Sequence, residues 1–166
     1  WTTTLLATDG NEAGDGEEWD VDDDPYWPTQ PNGMWIDATA SKRDVALTSP
    51  AFTITSATAK LKFWNVFETE PGWDGGVLEI QIDNGEWKDI IVAGGAFTSG
   101  GYNGELQDSP NPLSFRNSWT GKDEFETNVN LPAGAAGKSI RLRWRYGSDV
   151  GDDRDGWGID TVVVTN

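Results

Sequence analysis

Glu68, Glu70 and Asp74 crowd into one short stretch, Glu68 to Asp83 (ETEPGWDGGVLEIQID), which joins an alternating segment ending at Phe67 to another beginning at Val77. Hard carboxylate oxygens on a turn between two core strands suit a divalent cation such as Ca²⁺, which takes about six to eight oxygen ligands. The same residues offer a second chemistry. Glu68 and Glu70 share one face of an extended chain, and a carboxylate pair is what glycoside hydrolysis uses. With 28 acidic residues in a chain of 166, however, such a pair arises by chance, and little length remains for a deep cleft.

A longer acidic run lies upstream. From Asp9 to Asp24 (DGNEAGDGEEWDVDDD), nine of sixteen residues are acidic and three are glycine. A solvated loop is one reading. The other is a calcium loop, because Asp9, Asn11 and Asp15 are short oxygen ligands spaced through glycines that permit tight turns. It is not an EF-hand, since Ala13 falls at a ligand position and no helical pattern flanks the run. Asp149 to Gly156 forms another acidic loop, expected to be dispensable for any cation.

Composition narrows the classes. There is no cysteine and no histidine, which removes disulfides, the usual zinc sites and histidine acid–base catalysis. The 12 basic against 28 acidic residues leave a net charge of -16, unsuited to nucleic acid or to an anionic membrane. No apolar run approaches the ~20 residues of a membrane span. Ten tryptophans and abundant Gly, Thr, Ser and Asn fit an extracellular β domain. The length is that of one domain, and a start at Trp1 fits a module of a larger secreted protein.

The elements that must hold these residues read as strands. Residues 1–8 are β-branched and apolar. Val45–Thr48 and Phe52–Ile54 flank a Ser49-Pro50 break, and Thr58–Phe67 turns Leu61, Phe63, Asn65 and Phe67 to one side and Lys60, Lys62, Trp64 and Val66 to the other. Val77–Ile82 follows, then Asp83-Asn84-Gly85-Glu86 predicts a hairpin with Asn-Gly in a type I′ turn. Gly94 to Trp119 is irregular, as is PYWPTQPNGMW with its three prolines. Order returns with Phe125–Leu131, Ser139–Gly147 and Trp157–Thr165. In Ser139–Gly147, Arg141, Arg143 and Arg145 form an outward row suited to cross-strand acidic partners. No segment keeps a helical period. The expected fold is all-β, an antiparallel β-sandwich of jelly-roll type over residues 1–166.

Three patterns extend the reading: GDGEEW (Gly14 to Trp19); TSPAFTI leading into LKFWNVFE and PGWDGGVLEI; and RLRWRYGSD leading into GWGIDTVVV. Together the chain resembles the MAM-like, cleaved-adhesin-type (choice-of-anchor-like) jelly rolls that accompany secreted bacterial peptidases and adhesins, including modules beside M6- and M36-type metallopeptidases. That resemblance implies a structural Ca²⁺ tying the acidic N-terminal turn to the middle turn and the last strand. The matching positions are Asn11, Asp15, Asp74 and Asp160, with Glu70 as an added candidate and Ala13 as a departure from the pattern.

The functional expectation is a non-catalytic, calcium-stabilised accessory module, secreted or at the cell surface, that binds glycan or extracellular protein beside other domains of its parent chain. Trp73, Trp119 and Trp157 stand in Gly-, Asp- and Ser-rich surroundings, and Tyr102 in SGGYNGE, so these four are the candidate sugar-stacking residues; packing in the core is the competing reading. The alternatives are a structural spacer or folding domain beside a metallopeptidase, which binds nothing, and a small carboxylate-based glycoside hydrolase.

Overall fold

The computed structural model describes residues 1–8, 18–152 and 154–166. In chain order the strands are β1 (Thr2–Thr8), β2 (Asp20–Asp22), β3 (Gly33–Asp37), β4 (Arg43–Thr48), β5 (Phe52–Thr53), β6 (Lys60–Glu68), β7 (Gly75–Ile82), β8 (Lys88–Asp89), β9 (Ala96–Ser99), β10 (Gly104–Glu105), β11 (Asn117–Ser118), β12 (Lys122–Asn130), β13 (Ser139–Ser148) and β14 (Gly156–Thr165). One sheet runs β1-β4-β13-β7-β8, with β5 also on β13; the other runs β2-β3-β14-β6-β12-β9. All pairings are antiparallel, and the two sheets close a jelly-roll β-sandwich.

The alternation in β6 predicts its two faces correctly. Leu61, Phe63, Asn65 and Phe67 are buried, and Lys62, Trp64, Val66 and Glu68 are half-buried on the outer side. The core between the sheets is built on tryptophan. Phe63 meets Trp119 and Trp144 edge-on at 5.8 and 5.3 Å, and Trp157 lies between Trp19 (5.1 Å) and Trp119 (6.0 Å). Such edge-on pairs add roughly 0.5–1.5 kcal/mol beyond the area they bury. Gly76 makes room for this cluster, since a Cβ there would fall inside the Trp157 ring, and a Cβ at Gly75 would strike the Trp119 carbonyl. The paired glycines after Asp74 therefore serve close packing rather than an unusual turn.

Two of the three outward arginines of β13, Arg143 and Arg145, have the expected cross-strand acidic partners. Arg145 makes a double contact with Asp44, at 2.7 Å from both Nε and Nη2, while Arg143 and Arg116 converge on Glu79. Burial opposes ionisation of Glu79, but the guanidinium groups of Arg116 and Arg143 outweigh it and hold its carboxyl below the usual range.

Three expectations need correction. The tight turn after β7 places its positive φ on Asp83 and Asn84 rather than on Asn-Gly. The stretch after Pro25 is not wholly irregular, because it contains β3, paired on both sides. The 94–119 excursion carries β9, β10 and β11, buries Leu106 and Leu113, and packs beside Val77. It buttresses the first sheet.

Candidate functional site

The turn between β6 and β7 is held from several directions. Its backbone folds on itself through Asp74 N–H to the Glu70 carbonyl (3.0 Å) and Thr69 Oγ1 to the Asp74 carbonyl (3.1 Å). Thr120 Oγ1 accepts from Gly72 N–H (2.7 Å) and donates to the Glu70 carbonyl (3.2 Å), and Asn111 Nδ2 spans the carbonyls of Trp73 (2.6 Å) and Gly147 (2.9 Å). Rigid scaffolding of this kind fixes carboxylates in place before any ion arrives.

Register then brings a third carboxylate to the turn. Gly147 pairs with Gly75, and β13 ends one residue later, so Asp149 emerges beside Asp74 and donates its backbone N–H to Asp74 Oδ1 at 2.9 Å. Carboxylate oxygens of Glu70, Asp74 and Asp149 all lie within 4.8 Å of one another, with Asp74 1% and Asp149 6% exposed. Burial, and then the neighbouring Asp149 and Glu70 charges, push the Asp74 carboxyl up from 3.8 to about 7. A cation placed there removes that cost.

Two observations outside the carboxylates fit an ion. The Tyr146 side chain is 0% exposed, and its hydroxyl, within electrostatic reach of Asp74, Arg43 and Asp149, has no hydrogen-bond partner among the described residues; the neighbouring Ser148 Oγ donates to the Ser41 carbonyl (2.7 Å). Gly151 leaves the mouth open, for a Cβ there would sit 2.6 Å from Glu70 Oε2 and 3.2 Å from Asp149 Oδ1. The donors are all oxygen, the set that selects Ca²⁺ or Mg²⁺ over softer metals. Asp149, read from sequence as dispensable, is thus part of the cluster.

The remaining metal candidates part company. Asn11 and Asp15 lie outside the described residues. Among the described residues, Thr8 at the end of β1 pairs with Arg43, and Arg43 pairs with Ser148, one residue before Asp149. Asp160 does not join the cluster. It pairs with Trp64 in the other sheet, and its carboxylate accepts from Thr29 N–H (2.7 Å) and from Thr161. Its work is to clamp the loop after β2 onto β14. Asp160→Ala is expected to leave calcium-dependent melting unchanged while loosening that loop, checked by melting with and without EDTA. Glu68, the other half of the hydrolase pair, is bonded to Lys122, and Glu70 accepts from Asp152 N–H (3.3 Å), so the two carboxylates serve separate partners.

The aromatic candidates are placed just as unevenly. Trp119 and Trp157 are 0% and 1% exposed, with indole N–H groups on the Gly100 carbonyl (3.0 Å) and Asn65 Oδ1 (2.6 Å). They are core, and neither presents a face to a sugar. Tyr102 is half-buried against Phe97 and Trp119, its hydroxyl held between the Leu78 backbone and Asp89. Trp73 keeps a half-exposed ring beside the acidic cluster.

A cluster of aromatics lies instead on the outer face of the second sheet. A groove of about 550 Å³ is walled by Tyr26, Trp27, Trp35, Trp64 and Val66. Glycines of β3 and β14 seat its Trp27 ring, which is itself only 7% exposed. A Cβ at Gly33 would fall in the Trp27 ring, and one at Gly158 would meet Trp35 at 2.7 Å and Val66 at 2.9 Å. Trp27 lies on the sheet there, edge-on to Trp35 at 6.3 Å. Asp22 Oδ2 and Asp37 Oδ1 accept the two indole N–H groups, both at 2.8 Å, which fixes the ring orientations. Tyr26, 89% exposed, stands at the rim, its backbone N–H on Asp24 Oδ1 (2.8 Å). The sequence did carry a signal for this site: Trp64 and Val66 fall on the polar side of the β6 alternation.

No family model matches the chain, and no curated protein does. Among solved structures it is similar to a mannan-recognising carbohydrate-binding module, TmCBM27, at 11% identity and a TM-score of 0.43, over 99% of this chain and 88% of that one. It is also similar to the K1 cleaved adhesin domain of Lys-gingipain from Porphyromonas gingivalis W83, at 13% identity and a TM-score of 0.41, over 99% of this chain and 98% of that one.

Proposed function

We propose that this chain is a non-catalytic, calcium-stabilised glycan-binding module of a secreted or surface protein, and that the groove on the second sheet is its binding site. The observation that carries the reading is the wall of exposed Tyr26 and half-buried Trp64 and ring-locked Trp35 around Trp27, which is seated on Gly33 and Gly158. Pyranose rings present flat C–H faces that bury apolar area against such rings, while their hydroxyls exchange water for the flanking carboxylates. The floor consists of β3, β14 and β6, whose backbones are already paired within the sheet. An extended peptide gains no strand pairing there, so recognition rests on side chains.

Calcium stabilisation belongs to the same reading. The Glu70, Asp74 and Asp149 cluster would hold the ion, which would supply charge neutralisation where β7 begins and β13 ends.

A glycan array followed by titration of the best oligosaccharide tests the proposal. Trp64→Ala should weaken binding by roughly 1.5–3 kcal/mol, the value of one buried apolar side chain, or about ten- to hundredfold. Its melting temperature should hold, because Trp64 lies outside the inter-sheet core. Binding that survives this substitution unchanged would remove the groove from the account. Binding to no glycan at all would favour the spacer reading.

A further inference from the structure

The ligand's charge class follows from what surrounds the aromatic wall. Asp22, Asp24, Asp37, Glu124 and Asp155 complete the lining, and no basic side chain takes part in it among the described residues. Lys122, within electrostatic reach of Asp155, is bonded to Glu68, and Arg154 to Asp152 at 3.2 Å. Asp22, Asp24 and Asp37 each give one oxygen to a neutral N–H, which leaves the negative charge uncompensated. Glu124, opposite Val66 on β12, is exposed and makes no side-chain ion pair among the described residues. Aromatic faces add to the same preference, because their negative π-surface attracts a cation set over them. The chain as a whole carries a net charge of -16, so the field in the groove repels uronates and sulfated or phosphorylated sugars.

We infer that the groove selects a cationic glycan: an oligomer of amino sugars whose nitrogens are free ammonium groups rather than N-acetylated. This rests on the glycan-binding reading above and names its substrate class. In such a complex the sugar ring lies on Trp64 and Trp35 while an ammonium group meets the free oxygens of Asp37 or Glu124. A lysine-rich peptide offers the charge but neither a flat ring face nor any use for a floor of paired strands. N-acetylation of the sugar keeps the ring and deletes the charge, which makes it the discriminating comparison.

The experiment titrates deacetylated glucosamine oligomers, their fully N-acetylated counterparts, neutral hexose oligomers and oligolysine against the calcium-loaded protein. It is done at about pH 6, where amines are protonated. The deacetylated oligomer is expected to bind at least tenfold tighter than its acetylated form, and to lose at least tenfold between low and high salt. Trp64→Ala should weaken that binding about ten- to hundredfold. Asp37→Asn, which keeps an acceptor for Trp35 Nε1, and the exposed Glu124→Gln should each weaken it at unchanged melting temperature. If neutral or acetylated oligomers bind as well, and still depend on Trp64, the charge inference falls while the glycan reading stands. If no oligosaccharide binds, both fall. If oligolysine matches the amino sugar, or Trp64→Ala changes nothing, the attraction is diffuse charge and the inference is overturned.

Discussion

Trp119→Ala should unfold this domain at markedly lower temperature and should not act as a selective binding variant. Its indole is fully enclosed, edge-on to Phe63 and Tyr102, and its N–H is bonded to the Gly100 carbonyl. Truncating a buried tryptophan costs roughly 3–5 kcal/mol through lost transfer energy and the cavity left behind. For a chain of this size each kcal/mol moves the midpoint by about 2–4 °C, so a drop of the order of 10 °C is expected in thermal melting. Its backbone N–H and carbonyl also pair with Gly76 (both 2.9 Å), and these bonds survive the substitution. The loss should therefore be one of packing, with the sheet ends still joined. A Trp119→Ala protein that melts like the parent yet binds poorly would return Trp119 to the surface and contradict the packing described here.

Calcium removal should have an effect of similar size. An ion that binds only the native state adds RT ln(1 + [L]/Kd), about 4 kcal/mol for free calcium at a thousand times its Kd. The ion-free state carries a penalty with a definite pH sign. Asp74 is pushed up from 3.8 to about 7 by burial and by the Asp149 and Glu70 charges. Between those values the folded chain holds a proton that the unfolded chain has released, so stability falls as pH rises through the window and is lowest above about 7. Bound calcium keeps the carboxylate ionised at no such cost. Melting in EDTA should then decline from about pH 5 to about pH 8, melting in calcium should not, and the gap should widen with pH. Asp149→Ala and Asp74→Ala should each close that gap, whereas Asp160→Ala should keep it. An EDTA effect that persists in Asp149→Ala would move the ion elsewhere.

What the sequence made legible follows from what is local. The alternation of β6 and β13 sets which side chains enter the core, and both strands form where the pattern places them, with Arg143 and Arg145 on outward acidic partners. The acids of the β6–β7 turn are likewise local and carry two of the three cluster residues. Asp149 was hidden because its place depends on the register of β13 against β7, a pairing between residues about seventy positions apart. Asp160 misled for the converse reason: it follows a recognisable motif, yet β14 carries it to the opposite sheet, where it holds Thr29. Tryptophans are ambiguous one at a time. Trp119 sits among polar neighbours in RNSWTGKDE and is buried all the same, because β11 crosses Gly75 and Gly76 where side chains are absent. Trp64 sits in an apolar-rich strand and faces out. The groove itself depends on Gly33 of β3 and Gly158 of β14 meeting on one face, a coincidence of the fold rather than of any stretch of chain.

The most direct measurement is a two-dimensional NMR titration that follows the indole Nε1–H resonances of all ten tryptophans as an amino-sugar oligomer or the best array oligosaccharide is added. Trp35 and Trp64 line the groove, and Trp35 Nε1–H is tied to Asp37 at its wall. Trp119 and Trp157 are enclosed in the core with their N–H groups on Gly100 and Asn65. The Trp35 and Trp64 signals should move in proportion to saturation while those of Trp119 and Trp157 stay in place. Saturable binding in which the Trp35 and Trp64 signals do not move would contradict the groove as the binding site.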